Sequence, residues 1–364
     1  MQWKTWFRAV LMAVLIVALG VPSSAWTALA QDDQGPQTPP PSQEPEPPKP
    51  PTGEAQPAPK PQAPPPVAIS VRSTLVNVDA VVTDHDGNLV TGLKQDNFRI
   101  LDDGQPQQIT NFSPTDAPIT IVMLVEFSAA MGGYFGYKAQ YWADGFLQQL
   151  QPKDWVALKT FDLRSTLQVD FTQDKRQVDQ AIRTLGFPGF HEADLFDAVY
   201  ETLDQLRDVH GKKSILVLAT GYDTFSKHTL DQILTRLKES DVAIFCVGMG
   251  EEIDLSRNGG GVGYLQAQNQ LTTFARLTGG YAWFPRFEGE MNGIFSTVAA
   301  FLRNQYTMGF SPTTPQDGKY HKLTVEVVDD QGNPLELANK KGKKKKAEVT
   351  AREGYTAPNA PAGN

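Results

Sequence analysis

The chain has 364 residues and a formal net charge of −8, from 33 Lys and Arg against 41 Asp and Glu, an acidic balance that offers nucleic acid no general electrostatic footing. A single cysteine, Cys246, excludes an internal disulfide, so stability must come from burial. The roughly 290 residues that follow a proline-rich stretch suffice for two apolar cores.

Residues 1–30 have the three parts of a secretory signal: Lys4 and Arg8, an apolar segment from Ala9 to Val21, and the small-residue sequence Ala28-Leu29-Ala30. The apolar segment is short of the about 20 residues that a bilayer span needs, which favours cleavage over a retained anchor. Residues 31–66 hold prolines, charges and glutamines with almost nothing to bury. They read as an extended spacer, on the order of 100 Å long if polyproline II, with a proline-recognition ligand as the alternative.

Residues 67–117 change to strand language: alternating apolar residues in VAISVRSTLVNVDAVVT, with turn signals at Asp86-Gly87-Asn88 and Asp103-Gly104. The segment is too short to close a sheet alone. From Ile119 to Met131 runs ITIVMLVEFSAAM, whose unbroken apolar stretch predicts a central strand covered on both faces, ending in a carboxylate and a serine. Apolar runs at 155–161, 214–219, 242–247 and 281–284 then alternate with helical faces. These faces include Trp142, Phe146 and Leu150; Val178 and Ile182; Leu195, Val199 and Leu203; Ile233 and Leu237; and Ile294, Phe295, Val298 and Leu302. That alternation over 118–302 predicts a doubly wound α/β sheet. Strand patterns return over 303–357 in QYTMGF, KLTVEVV and AEVTAREGY, and residues 358–364 read as a disordered tail. The two strand-rich flanks are expected to pair into one β-sandwich, with the α/β unit inserted between them.

The end of the first α/β strand, together with GLKQDNFRILDDGQPQQI (92–109), DLFDAV (194–199), TGGYAWFPR (278–286) and NQYTMGFSP (304–312), resembles secreted bacterial proteins related to the von Willebrand factor A domain. The resemblance implies a Rossmann-like α/β fold, a binding-module class, and a divalent-cation site on three loops. The first loop of that family carries Asp-x-Ser-x-Ser, the second a threonine, the third an aspartate. This chain has Glu126, Ser128 and Ala130 in the first, Ala193 in the second and Thr220 in the third, so only Ser128 is unchanged. A hard cation wants direct oxygen ligands, and these replacements predict a rim without metal. Asp194 and Asp223 stand nearby as carboxylates for a different site.

Ser128, His191 and Asp223 fall on loops at one predicted sheet edge and admit a serine-hydrolase reading, without a GxSxG elbow. His85, His210, His228 and His321 are dispersed, with no metal-ligand spacing. The glycine-rich run 258–263 lacks the lysine and hydroxyl of a phosphate loop. Cys246, in IFCVG, reads as a buried small hydrophobe. Lys340, Lys341, Lys343, Lys344, Lys345 and Lys346 lie between two strand signals, as a hairpin tip that blunts a sheet edge or contacts an anionic cell-envelope polymer. The resulting expectation is an exported, periplasmic or extracellular, non-enzymatic binding protein acting by protein–protein contact without cofactor or metal. Cation-dependent adhesion and serine hydrolysis are the rivals.

Overall fold

The apolar run becomes the centre of a sheet: in β5 (Thr120–Glu126) every residue from Ile121 onward is buried. The computed structural model describes residues 75–114, 118–131, 142–249, 261–338 and 342–359. The expected signal, the spacer, residues 67–74, residues 258–260 of the glycine run, Lys340, Lys341 and the end of the tail lie outside them. No helix of the described residues is long and apolar enough to cross a membrane.

Beside β5 lie β6 (Trp155–Phe161) and β8 (Lys213–Ala219), both parallel to it and paired along most of its length. The sheet continues through β9 (Ala243–Gly248) to the short β10 (Ala282–Trp283) on one side, both parallel, and ends on the other in β7 (Ser165–Thr172), which is antiparallel to β6. The sequence does not mark β7 with the continuous apolar run that marks the central strands. As a half-exposed edge strand it shows only alternation, in Leu167, Val169 and Phe171.

Helices cover both faces. Among the described residues they are α1 (described over 142–147), α2 (Lys175–Thr184), α3 (Leu195–Gln205), α4 (Leu230–Glu239), α5 (Val262–Thr278) and α6 (Met291–Arg303). Ile121, Met123 and Val125 pack with Trp142, Phe146, Phe295 and Val298, whereas Val122 and Leu124 pack with Leu195, Val199, Ile233 and Phe274. Alternate residues of one strand thus enter two different cores, which is why its sequence does not alternate.

Local chemistry sets the helix ends. Thr229 and Gln232 form a capping box at the start of α4. Gly279 ends α5 at φ 82°, in the left-handed region. At the next residue a Cβ would lie 1.9 Å from the carbonyl oxygen of Ile244, so only glycine lets α5 turn back against β9. Asp154, fully buried, accepts from Ile119 N and Gln151 N and takes Arg303 Nη2 at 2.6 Å, fixing the end of α6 to the start of β5.

The flanking segments form two further four-stranded sheets. In one, β11 (Tyr306–Phe310) lies between β1 (Val76–Thr83) and β4 (Ile109–Pro114), with β15 (Glu348–Ala351) beyond β1. In the other, β12 (Tyr320–Val327) lies between β2 (Phe98–Asp102) and β16 (Gly354–Thr356), with β3 (Gln105–Gln107) beyond β2. Each sheet mixes strands from before and after the α/β unit. Their apolar faces share one core, including Val78, Ile100, Met308, Phe310, Leu323 and Tyr355.

Lys344–Lys346 form a strand, β14, paired with β13 (Glu336–Ala338). The expected tip is therefore partly ladder: Glu336 faces Lys346, and Lys345 Nζ lies 2.6 Å from His85 Nε2. Lysine carries little β propensity, and here the backbone pairing with β13 sets the conformation.

Candidate functional site

Glu126 ends β5 at the carboxyl edge of the α/β sheet and is 1% exposed. One of its oxygens accepts from Ser128 Oγ at 2.7 Å; the other accepts from the Thr220 amide at 2.7 Å and from Thr220 Oγ1 at 2.8 Å. Ser128 and Thr220 are themselves buried. The additional methylene of glutamate lets the carboxylate reach across from the first loop to the third. Burial pushes its pKa above the ordinary glutamate value, against the pull of the three donors. Met131 N donates to Ser128 O in the short turn Ala129–Met131 that contains Ala130, and Ala129 N donates to Phe190 O at 2.5 Å.

Ala193 is buried, and its backbone is paired to Thr224: its amide donates to Thr224 Oγ1 and its carbonyl accepts from Thr224 N. Asp194 accepts from Phe225 N at 3.1 Å, and Asp223 accepts from Phe196 N at 2.9 Å and Ser226 Oγ at 2.6 Å. Asp197, beside them on α3, accepts from the amides of Lys227 and His228 and holds His228 Nδ1 at 2.7 Å. These carboxylates fasten the loop after β8 to the start of α3. Burial raises the pKa of both Asp194 and Asp223, and neighbouring carboxylates add to it. Their oxygens serve backbone donors on opposite loops, so a replacement cation site from this pair would have to break the clasp.

The hydrolase constellation does not assemble. Ser128 is fully buried with its hydroxyl given to Glu126, while His191 is exposed and Asp223 is turned to α3. Around the closed centre the loops carry apolar side chains into solvent: Phe190 at 51%, Phe225 at 66% and Tyr222 at 37% exposed. Each is tied to the site, through Ala129 N, Asp194 and Thr220 Oγ1 respectively. Sequence reading passed these aromatics over, since no periodicity marks them.

Cys246 is fully buried, and burial pushes its thiol pKa up. Among the described residues, the cluster of metal-ligating side chains lies elsewhere, at Asp102, Asp103 and His321 in the flanking sheets. Asp102 and His321 are far apart in sequence, and only the register of β2 against β12, Leu323 opposite Asp102, brings them together.

Residues 120–258 match the family model of the von Willebrand factor type A domain. Among solved structures, the chain is similar to a von Willebrand factor type A protein from Catenulispora acidiphila, at 10% identity and TM-score 0.43, over 71% of this chain and 73% of that one. It is similar to the von Willebrand factor domain of the type V pili tip protein Mfa5 from Porphyromonas gingivalis, at 12% identity and TM-score 0.39, over 51% of this chain and 95% of that one. Proximal thread matrix protein 1 from the mussel byssus is similar at 14% identity and TM-score 0.43, and the chain spans only 51% of its length. No curated protein matches the chain in sequence.

Proposed function

Residues 120–258 are a von Willebrand factor type A domain, and from that premise we infer that the chain is an exported, non-enzymatic binding or scaffold protein. It engages a protein partner through the loops at the carboxyl edge of its α/β sheet, without a cation. The two flanks act together as a β-sandwich that presents this edge, and the proline-rich segment sets it off from the point of export.

The observation that carries the reading is how Glu126 is spent. A divalent ion held in this family's manner needs carboxylate and hydroxyl oxygens free to face it. Here both oxygens of Glu126 accept hydrogen bonds from within the protein, and the two hydroxyls nearest to it donate rather than coordinate. Ala193 brings no ligand side chain to the second loop. These residues do not suit the family's cation. Exposed Phe190, Tyr222 and Phe225 on the surrounding loops give the edge the aromatic character of contact surfaces, where a few large side chains carry most of the binding.

Magnesium calorimetry on the purified protein tests the metal-free reading, and no binding is expected in the micromolar range; micromolar affinity would return cation-dependent adhesion. Partner capture from envelope extract should survive EDTA but be lost in a Phe190→Asp, Phe225→Asp variant. Loss with EDTA and retention in the variant would reverse the conclusion.

A further inference from the structure

We propose that Asp102, Asp103 and His321 form a binding site for a divalent transition-metal ion, zinc by preference, in the flanking sheets and away from the α/β edge. Oxygens of the two carboxylates and a nitrogen of the imidazole lie within 4.8 Å of one another. His321 Nδ1 is 2.9 Å from Asp103 Oδ2 and 3.7 Å from Asp102 Oδ1. A tetrahedral ion about 2.0–2.2 Å from each ligand places ligand atoms roughly 3.3 Å apart, a spacing these two distances bracket.

Hydrogen bonding leaves the cluster incomplete. Asp102 is fully buried and His321 is 5% exposed, yet Asp102 Oδ1 and His321 Nδ1 are both buried without a hydrogen-bond partner. The approach of Nδ1 to Asp103 is close in distance but misaligned as a hydrogen bond. The other ring nitrogen, Nε2, sits 3.2 Å from Asp317 Oδ1. If Nε2 carries the proton and donates it to Asp317, Nδ1 presents a lone pair to two carboxylate oxygens, which is repulsive unless a cation stands between them. An imidazolium would neutralise one of the three surrounding carboxylates; a divalent ion neutralises two, and a charge as deeply buried as Asp102 requires such compensation.

The outer contacts have the form that metal ligands take. A ligating histidine commonly donates its second N–H to a carboxylate, as His321 is placed to do with Asp317, and ligating carboxylates are themselves hydrogen-bonded. Asp102 Oδ2 accepts from Thr314 Oγ1 at 2.6 Å and from the Tyr355 hydroxyl at 2.9 Å, turning Oδ1 toward the imidazole. Asp103 occupies an Asp-Gly turn with φ 47° and accepts from Lys322 N through Oδ1, which leaves Oδ2 for the ion. The imidazole ligand disfavours magnesium and calcium, which take oxygen. Asp103 is half exposed, so the ion has a path in and a fourth position for water. A bound ion would pin the β2–β3 turn to β12 and to the segment bearing Thr314 and Asp317.

Zinc calorimetry on the untagged full chain, together with cobalt absorption, tests the site. One equivalent of zinc should bind and raise Tm, and cobalt should give the intense visible bands of a four- or five-coordinate ion. Asp103→Asn, which tolerates the same backbone angle on an exposed turn, should weaken zinc at least tenfold and remove the cobalt bands. Asp317→Asn should weaken it by about 10- to 100-fold through the orientation of His321. Should His321→Gln fail to fold, the Asp103 and Asp317 variants still decide the question. No zinc binding by the unmodified chain overturns the proposal, as does zinc affinity unchanged in Asp103→Asn.

Discussion

Glu126 is a carboxylate that burial makes reluctant to ionise, and that reluctance has a sign. Its folded pKa lies above the unfolded one, so its contribution to stability is fully present below the unfolded pKa and is lost as pH rises through the folded pKa. Glu126→Gln keeps the shape and removes the titration. The variant should gain stability relative to the parent between pH 5 and pH 8, measured by denaturant melts at both values; a parent that gains instead would show the charged form to be favoured. Restoring Glu126→Asp, Ala130→Ser, Ala193→Thr and Thr220→Asp together should create magnesium affinity that the natural chain lacks. Calorimetry on the two proteins side by side checks it. The physical reason is that the shorter aspartate at position 126 no longer reaches the third loop and leaves room for an ion, while two hydroxyls and a carboxylate return around it.

At the scale of elements, the turn from α5 into β10 depends on Gly280, where any side chain would strike the Ile244 backbone. Gly280→Ala should cost about 3 kcal/mol or more, the upper end of overpacking penalties, because the obstacle is a main chain that cannot swing aside. Thermal melts measure it. Asp154 is the corresponding pin between α6 and β5. Asp154→Ala should cost about 3–5 kcal/mol, since it leaves Arg303 facing a site with no counter-charge and two amides without their acceptor. In β14 the lysines are held by the ladder with Glu336–Ala338, which presents Lys344 and Lys346 outward. If they serve an anionic envelope polymer, sedimentation with envelope material should fall steeply with salt, the screening length being about 8 Å at physiological ionic strength. A Lys343, Lys344 and Lys346 to Gln variant that sediments undiminished would remove that role.

For the whole molecule, the strands that follow the α/β unit sit inside the flanking sheets: β11 separates β1 from β4, and β12 separates β2 from β16. Removing residues 304–357, which spares Arg303 and its pairing with Asp154, would therefore strip partners from β1, β2 and β4 at once and expose Val78, Ile100 and Ile109 to water. The expected outcome is loss of folded structure in the amino-terminal flank, detectable as rapid proteolysis between residues 75 and 114 with the α/β unit still protected. A protected amino-terminal flank in the truncated chain would show that the two segments fold apart.

The sequence by itself determined the elements whose signal is local. The unbroken apolar run of β5 required cover on both faces, and the 3.6-residue spacing marked α2, α3, α4 and α6, because burial periodicity is written residue by residue. Set beside the family it resembles, the sequence also marked the replaced ligand positions at the edge, Ala130, Ala193 and Thr220. Only the tertiary structure decided what fills the gap: Glu126 reaches Thr220, 94 positions away, and the distance across two parallel strands is not encoded in either segment alone. The alternating edge strand β7 was hidden for the opposite reason, since solvent on one side weakens the apolar signal that central strands enforce. The grouping of Asp102, Asp103 and His321 was least legible, because it depends on the register between strands on opposite sides of the α/β unit. A shift of one residue there would turn His321 to the other face and dissolve the cluster.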